Sequence, residues 1–285
     1  MFAELKSRAL IRVSGEEAEA FLRGLLSNDV TDLGGGARYA ALLSPQGKIV
    51  FDLILIAEGG AFHLDCEASR ANELIAKLKL YRLRAKVEIE RDNSRAVFAR
   101  YMPPFSEIEI AGKDVLTLSD PRTPHLGLRL IGAPDQIHAK LRASGLPEKS
   151  EADYVAHRRA EGVPEGASEL GAEKLFLLEA NAEELHGVDF QKGCYVGQEL
   201  TSRMKRKSEL RKRLLPLHIA GDALAGSPVT AGGDLLGQIV GGGGSIFFAL
   251  LRLDRLAQAR AAGAAIMAGD LPAHLHIPAY LAGKL

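Results

Sequence analysis

The chain has 285 residues, of which 47% are hydrophobic, 25% are charged and 6% are aromatic. This length is enough for at least one large hydrophobic core. Basic residues number 36 and acidic residues also number 36, so the net charge excludes attraction of the whole molecule to nucleic acid or to an anionic membrane. Binding of either kind would need a local patch, and we expect no membrane partner.

The cysteine and histidine content argues against a stable metal centre. Cys66 and Cys194 lie far apart, and two thiols supply neither a disulfide scaffold nor the four ligands of a zinc or iron–sulfur site. His274 and His276 alternate on one predicted strand, but no third ligand lies nearby in the sequence. We therefore predict no metal site, although Cys194 remains a candidate for transient contact with a cluster.

The start of the chain predicts where the protein works. Residues 1–15 lack the apolar region of a signal peptide, and the longest apolar runs are too short to span a bilayer. A structured segment is expected immediately after Met1. These features predict a protein of a reducing compartment, and we expect the bacterial cytoplasm.

The body of the chain mixes helices and strands without a regular repeat, which is typical of an α+β fold. Ser14 and Glu17 have the spacing of a capping box at the start of the first predicted helix. Residues 44–47 predict a type I turn between two strands. In chain order, strands are predicted at residues 37–43, 48–57, 85–90, 96–101, 108–110, 115–118 and 127–131, and further helices at residues 69–80, 135–144 and 151–161.

The sequence changes character after Arg213, where glycine-rich turns separate short apolar runs. This pattern predicts a small β-barrel or sandwich. We therefore predict an α+β body over residues 1–210, with two subdomains that divide near residues 95–100, and a C-terminal β-barrel over residues 211–285. Strands are predicted there at residues 214–219, 235–240, 246–251 and 274–277, and a short helix at residues 254–262.

Two carboxylates end or interrupt apolar runs. Asp52 lies inside the apolar residues 49–56, and Glu179 follows the apolar residues 175–178. Burying a carboxylate costs several kcal/mol unless it is paired or protonated. Asp52 therefore either bonds a neighbouring group or faces a ligand pocket, where it would suit the N–H groups of a heterocycle. Glu179 has the same two interpretations, as a capping residue or as a ligand contact.

Cys194 is the strongest candidate for chemistry. Lys192 precedes it, and a predicted helix begins at Gln198. An ammonium group and a helix N-terminus both favour a thiolate, so Cys194 is expected to be more nucleophilic than Cys66. Gln198, one helical turn further on, is placed to donate a hydrogen bond to the sulfur.

A basic run follows this cysteine. Residues 203–213 contain seven basic residues and one acidic residue. Such a run is either a solvated face or a site for an anion, such as a polyglutamate tail, a phosphate or an RNA backbone.

Residues 192–203, KGCYVGQELTSR, closely resemble the signature K-G-C-[YF]-x-G-Q-E-x-x-[AS]-R of the YgfZ-type folate-binding proteins. That family includes mitochondrial iron–sulfur maturation factors. Other segments that look like the family cover most of the chain, namely residues 10–33, 42–53, 157–166, 178–190, 212–214 and 237–253.

The resemblance implies the fold of the aminomethyltransferase (T-protein) of the glycine cleavage system, which is a folate-binding α+β body with a central cavity and a C-terminal β-barrel. Glu179 falls at the position of a glutamate that helps to hold folate. Where the aminomethyltransferase has two adjacent acids, this sequence keeps only Asp52, which disfavours methylene transfer.

The resemblance thus implies a tetrahydrofolate-binding factor that assembles or repairs iron–sulfur clusters of the four-iron kind, with the assembly machinery or client proteins as partners. The alternatives are a folate-dependent aminomethyltransferase and an RNA-binding or tRNA-modification accessory. The implied folate contacts are Asp52, Glu179, Asn28 and Asp29, and the implied functional signature is Lys192, Gly193, Cys194, Tyr195, Gly197, Gln198, Glu199 and Arg203.

Overall fold

A computed structural model describes residues 1–102, 115–206 and 210–285, so the strand predicted at residues 108–110 lies outside the described residues. The chain divides into two units, and each is assembled from separate segments. The first unit comprises Met1–Leu42, Phe51–His157 and His186–Val196, and the second comprises Leu43–Val50, Arg158–Leu185 and Gly197–Leu285.

The strands of the first unit form a four-stranded and a five-stranded sheet. The strand order is β1-β7-β9-β8 in the first sheet and β3-β4-β5-β2-β6 in the second, and the turn between β3 and β4 belongs to the second unit. The strands are β1 Phe2–Glu4, β2 Arg8–Ser14, β3 Ala37–Leu43, β4 Ile49–Glu58, β5 Ala61–Glu67, β6 Glu88–Asp92, β7 Ala96–Arg100, β8 Val115–Ser119 and β9 Leu128–Gly132.

The first unit also contains helices α1 Ala18–Arg23, α2 Ala71–Arg82 and α3 Pro134–Ala143, and the boundary between the units falls within α4 Glu151–Ala160. Helix α2 packs against β2 and β6, and α3 packs against β7 and β9. A buried cluster that includes Phe98, Leu130 and Ile137 fills the space under α3. In the described ranges, no helix is both long enough and apolar enough to cross a membrane.

The capping box predicted for α1 is wrong. Ser14 is the last residue of β2, and the Glu17 side chain makes no capping hydrogen bond. Instead, the Oε2 atom of Glu17 accepts a hydrogen bond of 2.7 Å from the backbone N–H of Lys86. Ser150 caps the helix that is predicted at residues 151–161, because its hydroxyl accepts a hydrogen bond of 3.2 Å from the N–H of Asp153.

The second unit contains a closed barrel with the strand order β10-β13-β12-β11-β14-β15, which confirms the predicted C-terminal β-barrel. Alternate residues of its first strand, Leu215, Leu217 and Ile219, point into a common buried core, as the two-residue period of a strand requires. The elements are α5 Ala167–Leu170, α6 Gln198–Arg206, β10 Lys212–Ile219, β11 Pro228–Ala231, β12 Asp234–Gly243, β13 Ile246–Arg252, α7 Leu253–Ala261, β14 Ile266–Ala268 and β15 Leu271–Leu275.

Candidate functional site

The loop that carries Cys194 is held against the chain segment around the end of α1. The Nζ atom of Lys192 donates hydrogen bonds of 2.5 Å to the carbonyl of Arg23 and 2.7 Å to the carbonyl of Leu26. These carbonyls lie at or just beyond the C-terminal end of the helix, where backbone acceptors lack intrahelical partners. The N–H of Val196 donates to the carbonyl of Gly24 at 3.2 Å, so the loop is fastened on both sides of the cysteine.

The beginning of the same loop is fastened by Ser27 and Asn28. The Ser27 hydroxyl donates to the carbonyl of Gly187 at 2.6 Å. The side-chain amide of Asn28 donates to the carbonyls of Tyr39 at 2.8 Å and His186 at 2.7 Å. Because Asn28 uses both amide hydrogens on backbone carbonyls, its visible role is to hold this loop in place.

Lys192 is a buried cation with its charge directed at these carbonyls. The pKa of Lys192 is lowered to about 8, mainly by burial. The charges of Asp29 and Asp189 raise this pKa, and the charge of Arg23 lowers it. The Nζ atom also lies 4.7 Å from the centre of the Tyr195 ring, within the range of a cation–π contact. The geometry makes Lys192 a positioning residue for the loop.

Cys194 is exposed, whereas Cys66 is buried in β5. Burial raises the pKa of the Cys66 thiol to about 12, which makes it a structural residue. Beside Cys194, Gly193 has a φ of +96°, and a Cβ atom there would meet nothing within 4 Å. The described residues contain no cluster of three or more histidine, cysteine, aspartate or glutamate side chains that could hold a metal ion.

The other half of the signature lies in the second unit, where Gly197 is tightly packed. Its φ is +80°, and a Cβ atom would lie 2.5 Å from the Ser44 carbonyl oxygen and 2.8 Å from Leu43 Cβ. Only glycine fits this position. Helix α6 follows, and on it Arg203 donates to Glu199 at 2.8 Å on the helix surface.

Glu179 is buried and caps its own chain segment in the second unit. Its Oε2 atom accepts a hydrogen bond of 3.0 Å from the N–H of Phe176. Lys48 lies close by, with its Nζ atom 3.2 Å from the centre of the Phe176 ring and 2.8 Å from the Lys174 carbonyl. Burial lowers the pKa of Lys48, and the Glu179 carboxylate partly opposes this.

Lys48 and Phe176 are candidate site residues that sequence reasoning missed. In the sequence, Lys48 is marked only as a single lysine directly before the apolar strand β4. The position of Phe176 beside that lysine depends on chain segments more than 120 residues apart, so no local pattern indicates it.

The remaining predicted folate contacts lie in the first unit. Asp52 is buried in β4. The pKa of Arg70 is raised mainly by Glu73, and the charges of Glu67 and Asp52 also raise it. Burial raises the pKa of Asp29, but hydrogen bonds from Thr31 and Val30 and the charge of Arg23 outweigh it and lower the pKa overall. The structure thus brings Asn28, Asp29 and Lys192 together, whereas Glu179, Gln198, Glu199 and Arg203 belong to the second unit.

Part of the basic run is paired with neighbouring acids. Arg213 pairs with Glu184 at 2.9 Å, and Lys205 pairs with Glu183. With the Arg203 pair described above, three of the seven basic side chains have acidic partners, and Lys207 and Glu209 lie outside the described residues. This pairing reduces the positive charge available to an RNA backbone.

The fold is shared with a solved aminomethyltransferase. The chain is similar to the glycine cleavage system aminomethyltransferase T from Bartonella henselae, with a TM-score of 0.73 over 95% of this chain and 83% of that chain at 17% sequence identity. This similarity confirms the predicted fold class. Residues 211–282 also match the family model of the CAF17 C-terminal β-barrel domain.

Similarity in sequence identifies the family. The chain is 36% identical over 280 residues to the mitochondrial iron–sulfur cluster assembly factor IBA57 of Homo sapiens, covering 88% of this chain and 77% of the human protein. The mouse protein of the same name is 34% identical with the same coverage. A Pyricularia oryzae homologue is 33% identical, covering 75% of this chain and 56% of the longer fungal protein. The chain belongs to the IBA57 family of iron–sulfur cluster assembly factors, which confirms the family predicted from the signature.

The expected location in the bacterial cytoplasm is contradicted by these relatives. The human, mouse and Pyricularia proteins are all named as mitochondrial, and they point to mitochondria instead. A signal peptide is a marker of secretion, so the test applied to residues 1–15 does not bear on the choice between these two locations.

Proposed function

We propose that this protein binds tetrahydrofolate, or a derivative of it, and serves in the assembly or repair of four-iron clusters in client proteins. Membership of the IBA57 family supports the iron–sulfur part of this proposal. The observation that carries it is the exposed thiol of Cys194 on a loop that Lys192 fastens to backbone carbonyls. An exposed cysteine sulfur held in this way can be reached by a passing cluster, and sulfur is a ligand that suits its iron.

The role of the thiol is tested by replacing Cys194 with serine in cells that depend on this protein. We expect the Cys194→Ser protein to accumulate normally, while the activities of four-iron enzymes fall towards those of cells without the protein. Cys66→Ala is the matched control, because it removes the other, buried thiol. Full activity of four-iron enzymes with Cys194→Ser would contradict the proposed role.

Asp52 in the first unit and Glu179 in the second unit are each, taken separately, proposed as a folate contact. Both carboxylates are buried, and a buried carboxylate is suited to accept hydrogen bonds from the N–H groups of a pterin ring. In support, the fold is shared with the aminomethyltransferase of the glycine cleavage system. The partners in this proposal are folate and the assembly machinery or client proteins.

Calorimetric titration with tetrahydrofolate tests this part. We expect micromolar binding by the wild-type protein and a loss of at least about ten-fold in affinity for Asp52→Asn and Glu179→Gln. These substitutions keep the side-chain shape, and the amide oxygen introduced by Glu179→Gln still accepts from Phe176. Glu19→Gln, on the exposed face of α1, is the control. The absence of binding by the wild-type protein would contradict the folate proposal while leaving the test of Cys194 intact.

The shared fold favours a second candidate function, folate-dependent aminomethyl transfer. The test is tetrahydrofolate-dependent release of ammonia from a lipoyl-bound aminomethyl donor. Turnover above background would support it, and its absence would leave cluster assembly as the proposed function.

A further inference from the structure

The C-terminal half of α2 and the turn after it form a surface patch outside every site described above. Residues 75–87 contain no acidic residue and five basic ones, which are Lys77, Lys79, Arg82, Arg84 and Lys86. Of the three leucines in this range, Leu78 is buried, whereas Leu80 is 73% exposed and Leu83 is 86% exposed. We call residues 75–87 the basic-leucine patch.

Leu83 has a backbone conformation that is unfavourable for any residue other than glycine. It ends α2 with a φ of +47° and a ψ of −105°. Glycine is the usual residue in a left-handed conformation at a helix end, because any other side chain is strained there. Because the Leu83 side chain is exposed, burial does not offset the backbone strain. Neither helix capping nor core packing therefore accounts for a leucine at this position.

Two of the five basic side chains of the patch are free to act on a partner. Lys86 pairs with Glu16 at 2.7 Å, and Arg82 donates to the carbonyl of Val87 at 3.3 Å. Lys79 and Arg84 are exposed, and within the described ranges no hydrogen bond or ion pair engages either side chain. A patch of this kind concentrates positive charge on a molecule whose net charge is zero.

Against the expectation of no membrane partner, we propose that the basic-leucine patch is a local patch that docks the protein on an anionic phospholipid surface. Protruding leucines ringed by lysine and arginine match the chemistry of the bilayer interface, where leucine enters the acyl region and the cations bind headgroup phosphates. Lipids close around a protruding side chain, whereas an acidic protein would need a cavity that matches both leucines. The zero net charge does not oppose this docking, because salt screens charges that lie more than about 10 Å away.

Vesicle flotation with the full-length protein tests the proposal. The probes are vesicles of phosphatidylcholine alone and vesicles of three parts phosphatidylcholine to one part phosphatidylglycerol. We expect binding only to the anionic vesicles, with binding that weakens as salt is raised. The double variants Leu80→Ser/Leu83→Ser and Lys79→Glu/Arg84→Glu should each lower the partition coefficient at least about ten-fold.

Matched controls keep the test specific. Leu224→Ser removes another leucine that is 75% exposed, and Arg260→Glu reverses an exposed charge on α7; both should bind like the wild-type protein. Leu83→Gly should bind less, yet unfold at a higher urea concentration, because glycine tolerates the positive φ.

The proposal is overturned if wild-type protein does not float with anionic vesicles, or if the double leucine variant binds as well as wild type. In the first case an acidic protein partner would be the remaining explanation for the patch. The assay contains neither folate nor a cluster, so its outcome is independent of the proposed function.

Discussion

The surroundings of the two sulfur atoms give the two cysteines different chemistry. The thiol of Cys66 is enclosed by the five-stranded sheet, and its pKa is raised to about 12 by burial. Cys194 is exposed on the loop that Lys192 holds. Since the thiolate is the reactive form and must also be reached by the reagent, these residues should differ in reactivity.

We expect the folded protein to react with one equivalent of a thiol reagent, at Cys194, near neutral pH. Cys66 should react only after unfolding in denaturant. Mass spectrometry of peptides from iodoacetamide-treated protein, with Cys194→Ser as the control, measures this difference. Rapid labelling of Cys66 in the folded protein would contradict the burial described here.

The two glycines of the signature are required for different reasons. Both have positive φ, but a Cβ atom at Gly193 would meet open space, whereas one at Gly197 would collide with Ser44 and Leu43. Gly193→Ala should therefore cost about 1 kcal/mol of unfolding free energy through backbone strain alone. Gly197→Ala should cost about 3 kcal/mol or more, because strain and overpacking add. Urea unfolding of both variants measures the difference, and equal losses would contradict this explanation.

At the scale of the elements, a buried network of charges joins strands of the two sheets of the first unit. Asp65 on β5 accepts from Arg8 on β2 and from Arg129 on β9. Arg129 also donates to Asp120 at 3.1 Å, and Arg122 donates to Asp120 at 2.8 Å. All five side chains are buried, so each charge depends on its partners for the stabilisation that water would otherwise supply.

Asp120→Asn should destabilise the protein by about 3 to 5 kcal/mol, because it removes the buried counter-charge that Arg122 and Arg129 share. Arg129 keeps its ion pair with Asp65, so the loss falls mainly on Arg122. The matched control is Asp254→Asn, which removes an exposed carboxylate that accepts from Arg252 at 2.6 Å. We expect little change from that control, since exposed ion pairs contribute little. Urea unfolding of both variants measures the contrast, and similar losses would contradict the role of burial.

Most elements could be predicted from the sequence, because their residue patterns are local. The apolar period of α2 and the turn before β4 are examples. The first helix cap could not be predicted, because Glu17 is engaged by Lys86, a residue 69 positions away. Short strands such as β1 and β14 were also missed, since three residues carry too little pattern to identify a strand.

At the scale of the whole molecule, the predicted division between residues 210 and 211 stays a prediction. The barrel strands begin at Lys212, but the second unit also includes earlier segments of the chain. One link is Asn181, whose amide donates to the Leu214 carbonyl at 2.8 Å and whose Oδ1 atom accepts from Arg213 at 2.9 Å. The combination of separate chain segments in one unit depends on tertiary contacts, which the composition of the sequence does not reveal.

The stability of the whole molecule should fall in acid partly because of His63. Burial, with the nearby Arg95 guanidinium, lowers the pKa of His63 from 6.5 to about 4. As the pH falls below about 6.5, the unfolded chain takes up a proton that the folded protein does not bind until about pH 4. Proton uptake by the unfolded chain therefore lowers the free energy of unfolding progressively as the pH falls from about 6.5 to about 4. Above about pH 6.5 the titration of His63 has no effect on stability.

Replacing the imidazole removes this proton linkage. We expect His63→Gln to lose about 2 kcal/mol less unfolding free energy than the wild-type protein between pH 7.5 and pH 4.5. Urea unfolding at a series of pH values measures both curves. Parallel curves for the two proteins would show that His63 is not the group responsible.

The sequence by itself determined the family, the fold class and the signature around Cys194, because these depend on which residues follow one another along the chain. Only the tertiary structure decided what the conspicuous side chains do. It shows that Lys192 holds a loop through two backbone carbonyls, and it gives three side chains of the basic run acidic partners. The physical reason is that hydrogen bonding and burial depend on atoms brought together from distant parts of the chain, and these contacts decide which polar groups remain free to act.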